Sequence, residues 1–328
     1  MDAAPLIYCI KPPPGKHNGV AVNENSPGIA PFAFHAQHGS TKPQQVSEDT
    51  VTGFAACTTS IKMNVRNAKE SDEAPDLETH GFSLLIDDAN VGDDVKEHAW
   101  LRDDEHVRAT YYREAESLAM KAMPGATAAF AFNHVRRVSR QSGALAKKAR
   151  HMTGLSAPSY MCHSDSTASS AIANVRELVA SGEFEAVSPT LLKAHGKVLA
   201  EASRVVVINL WRLVTNFGQP SPTHLAMCDM RSVDADKQAI QYHFLVDGCV
   251  GYNYGLDASS APNHKWYYYP ALAADEVVAF KAYDSNGPSW CFHAACDDPG
   301  TPEDCPPRES VEVRVALVFP APGVPGEE

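Results

Sequence analysis

Two histidines and an aspartate in this sequence have the types and spacing of a metal-binding set. His163-Ser164-Asp165 places an imidazole and a carboxylate two positions apart, so on a strand both side chains project from the same face. A second imidazole from a distant strand-like segment, His293, would complete a set of two histidines and one carboxylate. Such a set leaves positions open on Fe(II), as O2 activation requires. The spacing therefore predicts a non-haem iron site.

A second motif, Arg308-Glu309-Ser310, opens the last apolar segment of the chain. The guanidinium of Arg308 can bind a carboxylate through two hydrogen bonds, and the Ser310 hydroxyl on the same strand face can add a third. Arg314 shares that face and is a second candidate, while an ion pair of Arg308 with Glu309 or Asp304 is the structural alternative. Together with the metal set, the motif predicts an Fe(II)/2-oxoglutarate oxygenase.

Composition narrows the classes of partner. The chain has 328 residues, 44% hydrophobic and 21% charged, and a formal net charge of −12. An acidic balance argues against nucleic acid or an anionic membrane as a partner. No leader-like start and no membrane-length apolar run is evident, and the eight cysteines form no C-x-x-C pair. We expect a cytoplasmic protein with buried free thiols, a zinc site being the alternative.

We predict a single catalytic domain that spans residues 1–328. The elements of its first half are predicted to support the core formed by its second half. Residues 1–80 are predicted to form an irregular arm, unperiodic over 1–50, followed by early elements. Residues 81–155 supply a strand at FSLLID, a helix over 103–123, a strand ending near His134, and an exposed basic loop over 136–150.

The second half, residues 156–320, changes character and is followed by a tail over 321–328. Helical patterns at Ala168–Ser181 and Pro189–Ala202 interrupt a series of short strands separated by Pro, Gly, Asn and Asp. This pattern predicts a mainly β fold with flanking helices and a double-stranded β-helix core, that is, a cupin-like jelly roll. The predicted strands are SYMCHSD, RVVVINLWRL, THLAMCDM, IQYHFLV, KWYYYPAL, EVVAFKAYDS, SWCFHAAC and SVEVRVALVF.

Several further polar and aromatic residues are candidates for the pocket. Arg212 follows an apolar run and needs an anionic partner: a substrate or 2-oxoglutarate carboxylate, or an internal acid such as Asp229 or Asp284. The same choice between substrate contact and internal support applies to the remaining candidates, which are Trp211, His134, Arg231 and Tyr283.

Longer segments resemble one family of enzymes. INLWRL, LAMCDMRSV, HKWYYYPALAADEVVAFKAYDS and HAACDDPGTPEDCPPRESVEVRVALVF are similar to signatures of gibberellin-desaturase-like and AsaB-like enzymes and the CmcJ-like component of cephem 7α-methoxylase. The resemblance covers about residues 80–320. It implies Fe(II), 2-oxoglutarate and O2, with ligands His163, Asp165 and His293 and a clamp of Arg308 and Ser310. Many relatives have proline where this chain has Leu213.

Two other classes stay open at this point. One is a cupin-like metalloenzyme that does not use 2-oxoglutarate, and the other is a partner subunit of a two-component oxygenase. In the favoured reading the substrate is a small natural product or amino-acid-type compound of secondary metabolism. Its oxidation is hydroxylation, desaturation or oxidative ring formation, and the protein acts alone or as a homo- or heterodimer.

Overall fold

Strands account for most of the regular structure. The computed structural model describes residues 4–9, 15–17, 20–22, 29–36, 58–88, 98–139, 155–156, 158–167, 171, 202–246, 249–288, 290–302 and 304–320. The strands are β1 (Ala4–Cys9), β2 (Gly15–His17), β3 (Val20–Val22), β4 (Ile29–Ala36), β5 (Thr58–Met63), β6 (Val65–Asn67), β7 (Phe82–Ile86), β8 (Ala128–Val138), β9 (Leu155–Ser156), β10 (Arg204–Leu213), β11 (Thr223–Cys228), β12 (Ala239–Val246), β13 (Cys249–Leu256), β14 (Trp266–Tyr268), β15 (Glu276–Asp284), β16 (His293–Asp297) and β17 (Glu309–Phe319).

Helices are few in the described ranges and mostly short. The α-helices are α1 (Asp104–His106), α2 (Tyr112–Ala122) and α3 (Ala235–Gln238), and a π-helical turn over Val107–Tyr111 joins the first two. Single 3-10 turns occupy Ala68–Glu70, Ala99–Arg102, Met230–Ser232 and Ala258–Asn263. No helix in the described part of the chain is long and apolar enough to cross a membrane.

Two sheets form the centre of the fold. The large sheet has the strand order β7-β15-β10-β17-β8-β9, and the small sheet has the order β16-β11-β14-β6. A further three-stranded sheet has the order β13-β12-β4. In the large sheet β10 pairs antiparallel with both β15 and β17, and its side chains are buried in core clusters on both faces of the sheet. This is why RVVVINLWRL is apolar almost throughout instead of alternating.

The core lies in layers on either side of the large sheet. On the outer face, Val311, Val313, Val315 and Leu317 of β17 pack with Leu118 of α2 and its neighbours. The inner face packs against the small sheet through a cluster that joins β7, β10 and β15 to β11 and the segment before β16. Its members include Phe82, Trp211, Phe280, Met227 and Cys291. The site residues project into this inner layer.

The N-terminal segment differs from the predicted irregular arm over 1–50. β1 pairs antiparallel with β5. Its side chains Leu6 and Tyr8 are buried in a hydrophobic cluster together with residues of the small sheet. β2 pairs with β3, and β4 pairs with β12 of the three-stranded sheet. The prolines and glycines around these short strands mask their period of two in the sequence.

Two other predicted boundaries differ from the structure. β8 continues through Arg136 to Val138, where an exposed loop is predicted over 136–150, because β17 supplies ladder partners as far as Glu309. The segment SYMCHSD forms only isolated bridges, at Met161 and His163, rather than a strand. The predicted helix over 103–123 is confirmed as α1, the π turn and α2. Residues 140–150 and most of the two helices predicted at 168–181 and 189–202 lie outside the described residues.

Candidate metal centre

His163 and His293 are brought together by backbone pairing. The His163 amide donates to the His293 carbonyl at 3.1 Å, and the His293 amide donates back to the His163 carbonyl at 2.9 Å. His293 is also the first residue of β16, where it pairs with Met227 of β11. The two imidazole rings consequently lie side by side, with centroids 4.4 Å apart. One edge of the small sheet thus presents both rings to the inner layer.

Each ring is oriented by the carbonyl two residues before it. Nδ1 of His163 lies 2.7 Å from the Met161 carbonyl oxygen, and Nδ1 of His293 lies 3.1 Å from that of Cys291. A carbonyl oxygen can only accept, so both Nδ1 atoms donate and both Nε2 atoms keep a lone pair. Histidines that bind metals have this second hydrogen bond. The two imidazoles are therefore in the tautomer that a metal needs.

Asp165 completes the set. Its Oδ1 lies 3.6 Å from His163 Nε2 and 3.8 Å from His293 Nε2, and the three potential ligand atoms all lie within 4.8 Å of one another. Atoms bound to one metal at about 2.1 Å are roughly 3 Å apart, so a small closure would accommodate an ion. Two imidazoles and one carboxylate form the ligand set of non-haem Fe(II) enzymes. The donors present therefore fit iron.

The ionisation states also suit a cation. Burial alone would raise the pKa of Asp165, but the charge of Arg314, with the two histidines, holds that pKa well below its ordinary range. Burial, and then the neighbouring His163, lowers the pKa of His293 to about 3. Asp165 is thus ionised and His293 neutral at physiological pH, which are the forms that coordinate metals.

The clamp motif lies at the other end of the same inner face. The cross-strand pairs along β10 and β17 run from Asn209–Arg314 beside Asp165, through Trp211–Glu312, to Leu213–Ser310. Arg308 is buried just beyond, with its guanidinium carbon 5.3 Å from the centre of the Trp211 ring. The metal set and the R-x-S motif are therefore separated along one face of the large sheet.

Arg308 and Ser310 have unsatisfied hydrogen-bonding atoms. Nη1 of Arg308 donates to the Thr223 carbonyl at 3.3 Å, but its Nε and the Ser310 hydroxyl are buried without a partner. Burial, with the charge of Arg137, lowers the pKa of Arg308 to about 10. The predicted alternative of a pair with Glu309 is wrong, because Glu309 pairs with Arg102 at 2.7 Å. Buried donors without partners favour an anionic ligand at this place.

A cavity opens beside this end of the face. Its lining includes Trp211, Thr223, Leu272 and Arg308. Tyr269 also lines it, and the Tyr269 hydroxyl is buried without a partner. The cavity thus combines an apolar wall with a small number of free polar atoms, the usual composition of a small-molecule site.

Arg212 does not reach the pocket. It lies on the opposite face of β10 from Trp211 and donates to Asp87 at 2.7 Å and to the Ala274 carbonyl. The expectation of an internal acid is confirmed, but the partner is Asp87 rather than Asp229 or Asp284. The strand's period of two decides this, since neighbouring side chains project to opposite faces.

The other candidate residues are His134, Arg231 and Tyr283, and the structure places some of them away from the inner face of the large sheet. His134 lies under the helices and contacts the Tyr112 hydroxyl at 2.9 Å and Asp104 at 3.0 Å, so it is a structural histidine. Arg231 is half exposed and pairs with Asp229 at 2.8 Å. Tyr283 packs with inner-face residues of β10 and β17, which are Val207 and Ala316. Of these candidates, Trp211 and Tyr283 therefore lie on the inner side.

Sequence reasoning missed Asn209 and Tyr269. Asn209 donates through Nδ2 to Asp165 Oδ2 and to Glu312 Oε1. The available signal was a single amide inside the apolar run VVVINLW, which would be costly to bury without partners. Nothing in the run of three tyrosines over 267–269 separates Tyr269 from its neighbours.

Sequence comparisons place the chain among known oxidoreductases. The family described as "Oxidoreductase/YMDC permease-like domain" matches residues 23–319. The hydroxylase/desaturase efuI of Hormonema carpetanum is 30% identical over 272 residues, covering 78% of this chain and 82% of that protein. The Fe(II)/2-oxoglutarate-dependent dioxygenase nvfI of Aspergillus novofumigatus is 27% identical over 261 residues, covering 79% and 83%.

A solved structure gives a likeness over nearly the whole chain. The iron and alpha-ketoglutarate-dependent endoperoxidase NvfI superposes with a TM-score of 0.65 and 21% identity, covering 97% of this chain and 98% of that chain. A tryptophan-to-phenylalanine variant of the same enzyme gives the same TM-score and identity. This likeness confirms the predicted jelly-roll fold.

Proposed function

The chain belongs to the family described as "Oxidoreductase/YMDC permease-like domain", and from that premise we propose how this Fe(II)/2-oxoglutarate-dependent oxygenase uses its residues. His163, Asp165 and His293 hold Fe(II), and Arg308 and Ser310 bind the distal carboxylate of 2-oxoglutarate. The observation that carries the proposal is the convergence of the three donor atoms within 4.8 Å. Within the class, the quoted segments support a place among the gibberellin-desaturase-like, AsaB-like and CmcJ-like enzymes.

The protein's own contribution is ligation, orientation and exclusion of water. Neutral imidazoles and an ionised carboxylate offer three lone pairs to one ion, and the carbonyls of Met161 and Cys291 keep the rings turned to it. When bound, Fe(II) and 2-oxoglutarate supply O2 activation and the removal of a substrate hydrogen.

The clamp orients the co-substrate. Arg308 offers its free Nε and Ser310 its hydroxyl, both buried, so a carboxylate placed there would be bound without competition from water. We add Tyr269 to this set, because its free hydroxyl lines the same cavity as Arg308. A cupin-like enzyme that does not use 2-oxoglutarate would have no need of these unpaired donors.

The substrate is proposed to be a small natural-product or amino-acid-type molecule, oxidised by hydroxylation, desaturation or ring formation in secondary metabolism. The net charge of −12 supports a small molecule rather than nucleic acid or a membrane surface as the partner. A cytoplasmic location is proposed on the same composition.

The test is spectroscopic. Fe(II) and 2-oxoglutarate added without O2 should give the visible metal-to-ligand charge-transfer band. The variant His163→Ala should lose this band while keeping its circular dichroism spectrum. A folded wild-type protein that shows neither the band nor 2-oxoglutarate-dependent succinate formation would refute the proposed function.

A further inference from the structure

The three ligand side chains are oriented in two different ways. The rings of His163 and His293 are fixed by carbonyls of their own segments, two residues before each. The Asp165 carboxylate is instead held from the large sheet: its Oδ2 accepts from Nδ2 of Asn209 and lies 3.1 Å from Nη2 of Arg314. Asp165 is thus the ligand whose direction depends on residues from elsewhere in the fold.

Those two donors are themselves fixed by a network across three adjacent strands. Asn209 of β10 and Arg314 of β17 are cross-strand partners. Glu312 Oε1 accepts from both of them, at 3.1 Å in each case. Nη1 of Arg314 donates to Asn133 Oδ1 of β8 at 2.8 Å. The contacts that direct Arg314 toward Asp165 are therefore made within the sheet.

We propose that Arg314 and Asn209 are positioning residues that make Asp165 a one-oxygen ligand. A carboxylate can bind a metal through one or both of its oxygens. With Oδ2 engaged by two donors, only Oδ1 remains for the ion, and Oδ1 is the atom that lies 3.6 Å and 3.8 Å from the two histidine Nε2 atoms. This arrangement keeps one further position of the ion open. The inference rests on the proposed function.

Arg314 should matter more than Asn209, because it also balances charge. Asp165 and Glu312 are two buried carboxylates that share the same guanidinium nitrogen, Nη2 of Arg314. Without that cation the two acids would lose the charge that both of them contact, and buried like charges are unfavourable. The contacts of Arg314 also show why it is not the 2-oxoglutarate clamp, since its guanidinium is already bound within the sheet.

The experiment compares metal affinity in matched variants. Arg314→Met and Asn209→Ala are titrated with Co(II) and, without O2, with Fe(II). We expect affinity to fall about 10–100-fold, the range seen when a ligand loses its hydrogen-bond partner, with the larger loss in Arg314→Met. Arg314→Lys, which keeps the charge, should recover part of the loss. The control is Arg204→Met, which removes an arginine of similar exposure (19% against 18%) that pairs with Asp284, and its metal affinity should equal that of the wild type.

A second readout separates positioning from co-substrate binding. Once saturated with metal, Arg314→Met should bind 2-oxoglutarate with an affinity within about threefold of that of the wild type. A variant of the clamp, such as Arg308→Lys, should instead keep its metal affinity and lose affinity for 2-oxoglutarate. Wild-type metal affinity in folded Arg314→Met and Asn209→Ala would overturn the inference. If Arg314→Met does not fold, Asn209→Ala alone decides. A wild-type protein that binds no Fe(II) would instead refute the proposed function.

Discussion

His163 and His293 exchange both of their backbone hydrogen bonds, at 3.1 Å and 2.9 Å, although one lies mid-chain and the other near the end of the sequence. The exchange sets the two ring centroids 4.4 Å apart. Since each Nδ1 is also engaged, little side-chain freedom remains to be lost when a metal arrives. The pair is a preorganised half of the site, to which Asp165 adds the charge.

The first prediction concerns this pair. His293→Ala removes one of three donors and should weaken Fe(II) binding at least about 100-fold, more than loss of a supporting hydrogen bond would. The affinity for Fe(II) is measured by anaerobic titration with Fe(II) in the presence of 2-oxoglutarate, followed by the charge-transfer band. His134→Gln is the matched control, because His134 lies under the helices with Tyr112 and Asp104 and should leave the band unchanged. Equal bands in the two variants would contradict the assignment of His293.

The second prediction concerns the clamp. Arg308→Lys and Ser310→Ala should each weaken 2-oxoglutarate binding about 10–100-fold, because each variant loses a hydrogen bond to a carboxylate, and a bond to a charged group is worth about 1.5–3 kcal/mol. Metal affinity should not change. Arg102→Gln, which breaks the neighbouring pair with Glu309, serves as the control. Unchanged affinity for 2-oxoglutarate in folded Arg308→Lys would remove Arg308 from the site.

The third prediction concerns Tyr269. Tyr269→Phe deletes one hydroxyl that has no partner within the protein, so stability should be unchanged or slightly higher. If that hydroxyl donates to the co-substrate carboxylate, the KM for 2-oxoglutarate should rise about tenfold or more with little change in kcat, as expected for the loss of one hydrogen bond to a charged group. Succinate formation across a range of 2-oxoglutarate concentrations measures both constants. A KM equal to that of the wild type would assign Tyr269 to the wall of the cavity only.

Sequence reasoning reached the site because its parts are local motifs. H-x-D and R-x-S each hold their two side chains within two positions of one another, and the structure brings the first motif together with His293. The apolar runs of β10 and β17 likewise predicted strands in the layer where the structure has them.

What the sequence could not supply was cross-strand register. Asn209 lies opposite Arg314 and Arg212 pairs with Asp87, and both relationships depend on long-range pairing that no local pattern encodes. From the sequence alone, Arg314 is therefore a second candidate for the clamp, and Asp229 and Asp284 are candidate partners of Arg212 in place of Asp87. The H-x-D segment is not a strand either; its geometry comes from single bridges to β13 and to His293.

The fourth prediction concerns the buried ion pair of Arg212 with Asp87. Arg212→Met should leave Asp87 in the core without its guanidinium, which costs about 3–5 kcal/mol in the free energy of unfolding. Urea denaturation at neutral pH measures the loss. Affinity for 2-oxoglutarate, determined at low temperature on the folded fraction, should stay at the wild-type value, because Arg212 projects away from the inner face. A change in that affinity with unchanged stability would instead place Arg212 in the pocket.

The fifth prediction concerns stability against pH. His264 is buried, its ring centroid lies 5.7 Å from that of Tyr8 in a stacked arrangement, and it contacts the Tyr8 hydroxyl at 3.3 Å and Gln238 at 3.1 Å. Burial lowers the pKa of His264 to about 4, from about 6.5 in an unfolded chain. Between these values the unfolded state binds a proton that the folded state does not.

Stability should therefore fall as pH decreases from about 6.5 to 4, by up to roughly 1.4 kcal/mol per pH unit from this one residue. Gln cannot be protonated, so His264→Gln should show a shallower decline. The residual slope would come in part from His224, whose pKa burial also lowers to about 4. Urea denaturation of both proteins at about pH 7, 6 and 5 measures the slopes, and comparing slopes rather than absolute stabilities removes the packing cost of the substitution. Parallel curves would show that His264 is protonated in the folded protein as readily as in the unfolded chain.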